Sequence, residues 1–550
     1  MKTRALHSPT PAQTAVLDTA HVGDIRGAFG TIAQNDTGRR TSWMARFRTL
    51  MAIIGPGLIV MVGDNDAGAF STYTQAGQNY GTTLLWTLML LIPVLYVNQE
   101  MVLRLGVVSG VGHARLILQR FGRFWGAFSV IDLFLVNALT IVTEFIGISL
   151  GLSFLGVPKI PGVIASALLI MMAVSTGDFR RFERFSMVLV FASLLLVPVF
   201  VMVHPPLGQV AHDFLIPAYP QGAKLSDIML LVIGIVGTTV APWQLFFQQS
   251  YVIDKRITTR FIKYERWDLV LGIVLVIIGA VSMMAFAAQT FAGKPEFGNF
   301  ADAGAVASGI AKYYGQVPAQ LFAIALIDAC IIGASAVSLS TAYAVGDVLS
   351  VNHSLHRKPK EAIGFYAVYF ALIVIAAALV LIPGTPLGLL TNAVQTLAGV
   401  LLPSASVFLL LLCNDKEVLG PWVNGRKLNI FTAAIVAILV MLSIILTSAV
   451  LFPDISSEAI IAILVGGSAV GIVVAAVVKL IQAKRNKAAG VMAEVVEHIA
   501  DIANWRMPPL DQLKPLNLTI EKKVWMGVLR GYLIIAICLV VYKVVRIAMG

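Results

Sequence analysis

The chain has 550 residues, 58% of them apolar and only 13% charged, with a formal net charge of +11. This balance excludes an ordinary soluble domain. It also excludes nucleic acid as the reason for the basic excess, because Lys and Arg fall in short clusters between long apolar runs, as the positive-inside rule requires.

Residues 1–48 are polar and mixed, which speaks against a cleavable signal peptide and reads as a mobile cytoplasmic tail. At about 20 apolar residues per crossing, spans are expected near 51–75, 82–105, 125–152, 160–176, 186–203, 225–253, 267–290, 318–346, 361–382, 387–413, 430–452, 458–481 and 524–547. Alternate loops carry the basic residues. Arg46 and Arg48 precede the first span, Arg115, Arg120 and Arg123 follow the second, and Arg180, Arg181 and Arg184 follow the fourth. The pattern continues with Lys255 and Arg256 after the sixth, Arg357 and Lys358 after the eighth, Arg426 and Lys427 after the tenth, and Lys484 and Arg485 after the twelfth. The amino terminus is therefore expected in the cytoplasm of a plasma (inner) membrane protein, and a thirteenth span would place the carboxyl terminus outside. Cys330, Cys413 and Cys538 lie in separate spans without paired spacing, which indicates neither a disulfide framework nor a thiolate metal site.

Two spans carry breaks. The first is interrupted by Asp64, Asn65, Asp66, Ala67 and Gly68, and the sixth by Ala241-Pro242-Trp243. Carboxylates at membrane depth cost several kcal/mol and are expected to face a cavity, so an ion or substrate site is the default reading. The alternative for the aspartates is a satisfied cap at the headgroup boundary; for Pro242 it is a kink repaired by neighbouring helices. Paired interrupted helices at corresponding positions of two halves point to a transporter's midplane site. The expected organisation is a tail (1–48), a first five-helix repeat (49–205), a second (206–413), two additional transmembrane helices (414–483), a cytoplasmic segment (484–523) and a last transmembrane helix (524–550). Within 484–523, Met492, Val495, Ile499 and Ile502 recur at helical spacing, suggesting one amphipathic helix at the membrane surface or docked on a protein.

The first broken span contains Gly55-Pro56-Gly57, Asp66-Ala67-Gly68-Ala69, Gln75-Ala76-Gly77, Tyr80-Gly81 and Leu84-Leu85-Trp86, in that order and spacing. In this it resembles the NRAMP metal-ion transporters. Further points of resemblance are Gln99 with Arg104-Leu105-Gly106, Glu144-Phe145-Ile146-Gly147, Ala241-Pro242-Trp243 and Gln395 ahead of Pro403. The resemblance implies an all-α polytopic membrane protein of the LeuT type, a 5+5 inverted repeat with discontinuous first and sixth helices plus additional C-terminal spans. It also implies a divalent metal ion as substrate, the bilayer as setting, no separate cofactor and no enzymatic activity.

The departures from the family pattern have a chemical direction. Ala67 and Ala69 stand where the family has proline and asparagine, Ala241 replaces a methionine, Ile141 an aspartate, and Trp243 and Gln248 two histidines. Losing a soft thioether and a direct amide ligand favours a small hard cation that keeps several waters. The chain accordingly looks like the NRAMP-related magnesium transporter branch, with manganese as a second substrate. Asp66 is then the expected direct ligand, and the backbone carbonyls of Gly63 and Thr238 are neutral oxygens. Gln395 and Glu144 are candidates for an outer, water-mediated shell, the rival readings being a structural partner within the bundle for Glu144 and an ordinary interhelical hydrogen bond for Gln395. Asp64 offers a second carboxylate, and Ala241 marks the absent thioether. All eight histidines, from His7 to His498, fall outside the expected spans, so transport without obligatory proton coupling is expected. A doubly charged cation gains roughly 4–5 kcal/mol per 100 mV of membrane potential. The rival readings are an NRAMP-like carrier of transition metals (Mn/Fe) using a rearranged site, and a transporter-like sensor or receptor.

Overall fold

A computed structural model describes residues 15–383 and 405–452, residues 455–469 save 457, residues 505–514, and isolated positions at 394, 473, 516 and between 526 and 542. Nearly all of the regular structure is helical. Among the described residues, eight helices are long and apolar enough to cross a membrane; a ninth is counted if Trp43–Ile53 and Pro56–Val62, bent by 51°, form one span.

The first expected span is two helices, α2 (Pro56–Val62) and α3 (Ala67–Tyr80), preceded by α1 (Trp43–Ile53). Gly55 takes φ +153°, a conformation open to glycine, and Pro56 occupies the first helical position, where its missing N–H costs nothing. The second span is α4 (Trp86–Ser109), followed by the short α5 (His113–Phe121). The third and fourth are α6 (Arg123–Phe154) and α7 (Lys159–Val174). The fifth runs from α8 (Phe179–Ala192) through a 3-10 turn into α9 (Leu196–Val203).

After α10 (Leu207–Leu215), the sixth span is divided into α11 (Leu225–Thr239) and α12 (Pro242–Asp254). Then follow α13 (Ile262–Phe291), α14 (Ala303–Tyr314), α15 (Gln316–Leu349), α16 (Ile363–Leu381) and α17 (Arg426–Leu451). The expected tenth span is described only over its end, where residues 405–412 are helical. The twelfth is described as the helix Glu458–Ala469, and the thirteenth lies largely outside the described residues, as does the stripe Met492 to Ile502.

Small residues let these helices approach. A Cβ at Gly57 would lie 2.6 Å from the backbone nitrogen of Leu269, and one at Gly272 2.6 Å from the Gly57 carbonyl, so α13 runs against α2 with backbone near backbone. Gly77 brings α3 equally close to Met284 of the same helix. Gly147 and Gly151 of α6 face Cys330 and Ile327 of α15. The long α13 therefore holds both halves of the broken first span at a fixed separation, while α6 and α15 brace the gap from another side.

The expectation of a mobile tail is corrected for residues 15–42. Ile25–Gly27 and Gly30–Ile32 pair as an antiparallel hairpin whose glycines sit directly on Ala52 of α1. Asp18 accepts hydrogen bonds from Arg357 Nε, shared between both carboxylate oxygens, from Arg357 Nη2, and from the His353 backbone. Arg256 donates to the carbonyls of Ala20 and Asp24, and Ala28 N–H donates to Glu183 at 2.5 Å. Polar composition alone does not reveal such partners, because they lie more than 150 residues away in sequence. Residues 505–514 also dock on the bundle: Met507 N–H reaches the Val108 carbonyl at 3.2 Å, and Arg120 donates to the Lys514 carbonyl at 2.6 Å.

Candidate functional site

The break in the first span is built by competition for backbone hydrogen bonds. Gly63 is still helical, its N–H bonded to Ile59, and Asp64 and Asn65 continue in tighter turns onto Met61 and Val62. Asp66 then swings to an extended conformation (φ −75°, ψ −172°) and caps α3, its Oδ1 accepting the Ala69 N–H at 2.9 Å. The N–H of Ala67, which in a continuous helix would return to Gly63, is taken instead by Glu144 Oε2 at 3.2 Å. The Gly63 carbonyl is thereby released.

The break in the sixth span frees a carbonyl by a different route. The partner of the Thr238 carbonyl in a continuous helix would be residue 242, which is proline and has no N–H to give. Val240 and Ala241 accordingly leave the helical region, and α12 restarts at Pro242. The two breaks face each other: Tyr73 of α3 bonds Thr239 through its hydroxyl at 2.6 Å, and a Cβ on Gly63 would lie 3.5 Å from the Trp243 ring.

Of the expected site residues, Asp64, Asp66 and Glu144 gather around the first break, each buried. The Glu144 carboxyl occupies space left by Gly333, where a Cβ would come within 2.9 Å of it. Gly63, Thr238 and Ala241 lie at the two breaks as expected. Gln395 lies outside the described residues. Asp328 of α15 has no hydrogen-bond partner for Oδ2 among the described residues.

Among the described residues, none of the three carboxyls forms an ion pair with a Lys, Arg or His, and Asp64 Oδ2 and Glu144 Oε1 accept no hydrogen bond. Buried acids are ordinarily paired or neutralised, so unpartnered carboxyl oxygens beside an opening in the backbone mark this place, although Glu265 and Asp268 also leave buried oxygens unpartnered among the described residues. Among the described residues, no three His, Cys, Asp or Glu side chains converge closely enough to hold a metal ion directly.

Sequence reasoning missed Gln244, which donates to Asp64 Oδ1 and, at 3.4 Å, to the Thr239 carbonyl. It missed Asn65 as well, anchored to the Val276 carbonyl of α13 at 3.2 Å. A polar amide one residue after Pro242-Trp243, at membrane depth, was the available signal for the former. Gln248, expected from the resemblance to replace a histidine, is fully buried and has no hydrogen-bond partner among the described residues. His113, between spans, bonds Gln249 at 2.9 Å, and burial pushes its imidazole down to about 4.

Comparison with known proteins agrees with this architecture. The family model described as natural resistance-associated macrophage protein-like matches residues 57–449. A divalent metal cation transporter, MntH, from Ralstonia nicotianae is 29% identical over 397 residues, covering 69% of this chain and 87% of that protein. Another MntH, from Deinococcus radiodurans, is 27% identical, covering 74% and 91%. A crystal structure of the Eremococcus coleocola manganese transporter superposes with a TM-score of 0.61 at 22% identity, over 82% of this chain and 98% of that one. With the matched region spanning most of its length and both helix breaks, the chain belongs to the NRAMP family, with the all-α, LeuT-type fold of that family.

Proposed function

We propose that the chain carries divalent metal cations across the membrane, taking magnesium with much of its water shell and manganese as a second substrate. The observation that supports this reading is the set of three buried carboxyls, Asp64, Asp66 and Glu144, around the first of two facing helix breaks, with no cationic side chain paired to them among the described residues. A divalent ion supplies the missing charge. Asp66 is assigned as the direct ligand, the Gly63 and Thr238 carbonyls as neutral oxygens, and Glu144, Asp64 and Gln395 as acceptors for the ion's waters. Ala241 offers no sulfur, which weakens any preference for softer metals. That no three acidic, His or Cys side chains converge on one point among the described residues suits an ion that dehydrates reluctantly and keeps several waters.

The proposed carrier is not obligatorily proton-coupled, because no histidine lies in the described spans and Ile141, Trp243 and Gln248 do not titrate. Its amino terminus is assigned to the cytoplasm. Movement of the broken helices against the α6–α15 scaffold would expose the site alternately to each side.

The test is ion uptake into proteoliposomes under a fixed potential. Asp66→Ala is expected to reduce Mg2+ uptake to background, and the lumenal pH is expected to stay constant as Mg2+ enters. Unchanged uptake in that variant removes the site assignment, and acidification in proportion to uptake removes the uncoupled mechanism. A second reading, transition-metal carriage through a rearranged site, is favoured by the relatives named as manganese and divalent metal transporters. Excess Mg2+ that fails to suppress Mn2+ uptake would select it.

A further inference from the structure

Gln244 occupies a position that no ligand argument anticipates, yet its amide joins three elements. Its Oε1 accepts from Gln99 Nε2 of α4 at 2.9 Å, which turns the amide so that Nε2 faces the gap. That Nε2 donates to Asp64 Oδ1 beyond the first break and to the Thr239 carbonyl, at 3.4 Å, beside the second. Both glutamines and Asp64 are fully buried. Asp64 thus has one oxygen held by the protein and one, Oδ2, held by nothing among the described residues.

We propose that Gln244, itself oriented by Gln99, is a positioning residue for the transported ion: it fixes Asp64 so that the free carboxylate oxygen accepts a hydrogen bond from a water bound to the cation. This rests on the transport reading above and deepens it. A neutral amide suits the task better than a lysine or arginine, which would supply the countercharge itself and compete with the ion. Because Asp64 acts through water, the device discriminates by hydration. An ion that retains its waters gains from Asp64, and an ion that sheds them gains little. Outer-shell partners of this kind typically change metal affinity by about 10–100-fold when removed.

The experiment uses the full chain in proteoliposomes, with Mg2+ and Mn2+ as separate probes and initial rates at a fixed potential. Gln244→Leu is expected to raise KM for Mg2+ by about tenfold or more while raising KM for Mn2+ by about threefold or less, with maximal rates nearly unchanged. Asp64→Asn is expected to do the same, and the double variant to add nothing further, since both remove one interaction. Gln244→Asn, whose amide is a methylene shorter, is expected to fall between wild type and Gln244→Leu. Equal shifts for both ions, a fall in maximal rate alone, or additive effects in the double variant would overturn the proposal. Should the wild-type chain carry Mn2+ and not Mg2+, the magnesium reading fails by itself. The Gln244–Asp64 coupling is then still read with Mn2+, where additivity would overturn it and non-additivity would uphold the positioning role.

Discussion

Two regions of this molecule bury charge, and they do so in opposite ways. At the end of the bundle where the basic loops gather, Lys255 and Glu183 are fully buried and 2.6 Å apart, and the lysine's remaining protons reach the carbonyls of Ile53 at 2.5 Å and Ile54 at 2.9 Å. Nearby, Asp254 accepts from Tyr343, Ser354 and the Leu355 backbone, and Asp347 pairs with His353 at 3.1 Å. At the helix breaks, Asp64, Asp66 and Glu144 are equally buried and have no cation among the described residues. Glu265 and Asp268, one turn apart, are the exceptions at the basic end: Asp268 Oδ2 accepts the Gly57 N–H at 2.6 Å, but among the described residues neither Glu265 oxygen nor Asp268 Oδ1 has a hydrogen-bond partner. The difference teaches that burial of an acid is not itself a functional sign. A saturated cluster holds helices together, whereas an unsaturated one at an opening in the backbone waits for a ligand.

The comparison is open to direct attack through stability. Lys255→Met leaves Glu183 buried and uncompensated, and a loss of about 3–5 kcal/mol is expected, read as a large drop in the midpoint of unfolding of the detergent-solubilised protein. Adding Glu183→Leu should restore much of that loss, because the orphaned charge is removed. The same kind of change at the gap should behave differently: Asp64→Asn, measured without divalent ions, is expected to leave stability unchanged or to raise it by about 1 kcal/mol, since it removes a charge without a partner. A large destabilisation there would mean that the two regions do not differ in the way described.

The smallest effects concern the cap formed by residues 15–42. Burial alone would raise the Asp18 carboxyl, but hydrogen bonds from Arg357 and from the backbone of Ala20 and His353 bring it down from 3.8 to about 2. Burial opposes charge on His353 too, yet Asp347 beside it lifts the imidazole from 6.5 to about 9. Asp18 therefore stabilises the cap above about pH 4, a contribution lost as pH falls toward 2. His353 contributes fully below about pH 6.5, and that contribution is lost as pH rises through 9. Protection of the 25–32 hairpin amides, taken as exchange rates relative to those of the unfolded chain at the same pH, should consequently be greatest between these limits and should fall on both sides. Asp18→Asn should abolish the acid limb and leave the alkaline one.

Much of this architecture was legible in the letters. Apolar runs of membrane length located the described spans to within a few residues, because a helix in lipid must satisfy its own backbone and its limits follow from composition. Pro242 announced the second break through its missing N–H, and the aspartates announced the first through their cost at that depth. The cap and Gln244 escaped notice for one reason. Asp18 meets Arg357, and Gln244 meets Asp64 and Gln99, across separations of more than 140 residues, and nothing local distinguishes these side chains from solvated or merely packed ones.

Local chemistry settles where the backbone can cross, where it must break and which acids are too costly to be idle there, since each of those depends on a residue and its near neighbours. Which carboxylate receives a partner and which is left open depends on what distant helices bring alongside: Lys255 to Glu183, but only the neutral amide of Gln244 to Asp64. That pairing is a property of three-dimensional packing, because the energy of a buried charge is set by the few ångströms around it and not by its place along the chain.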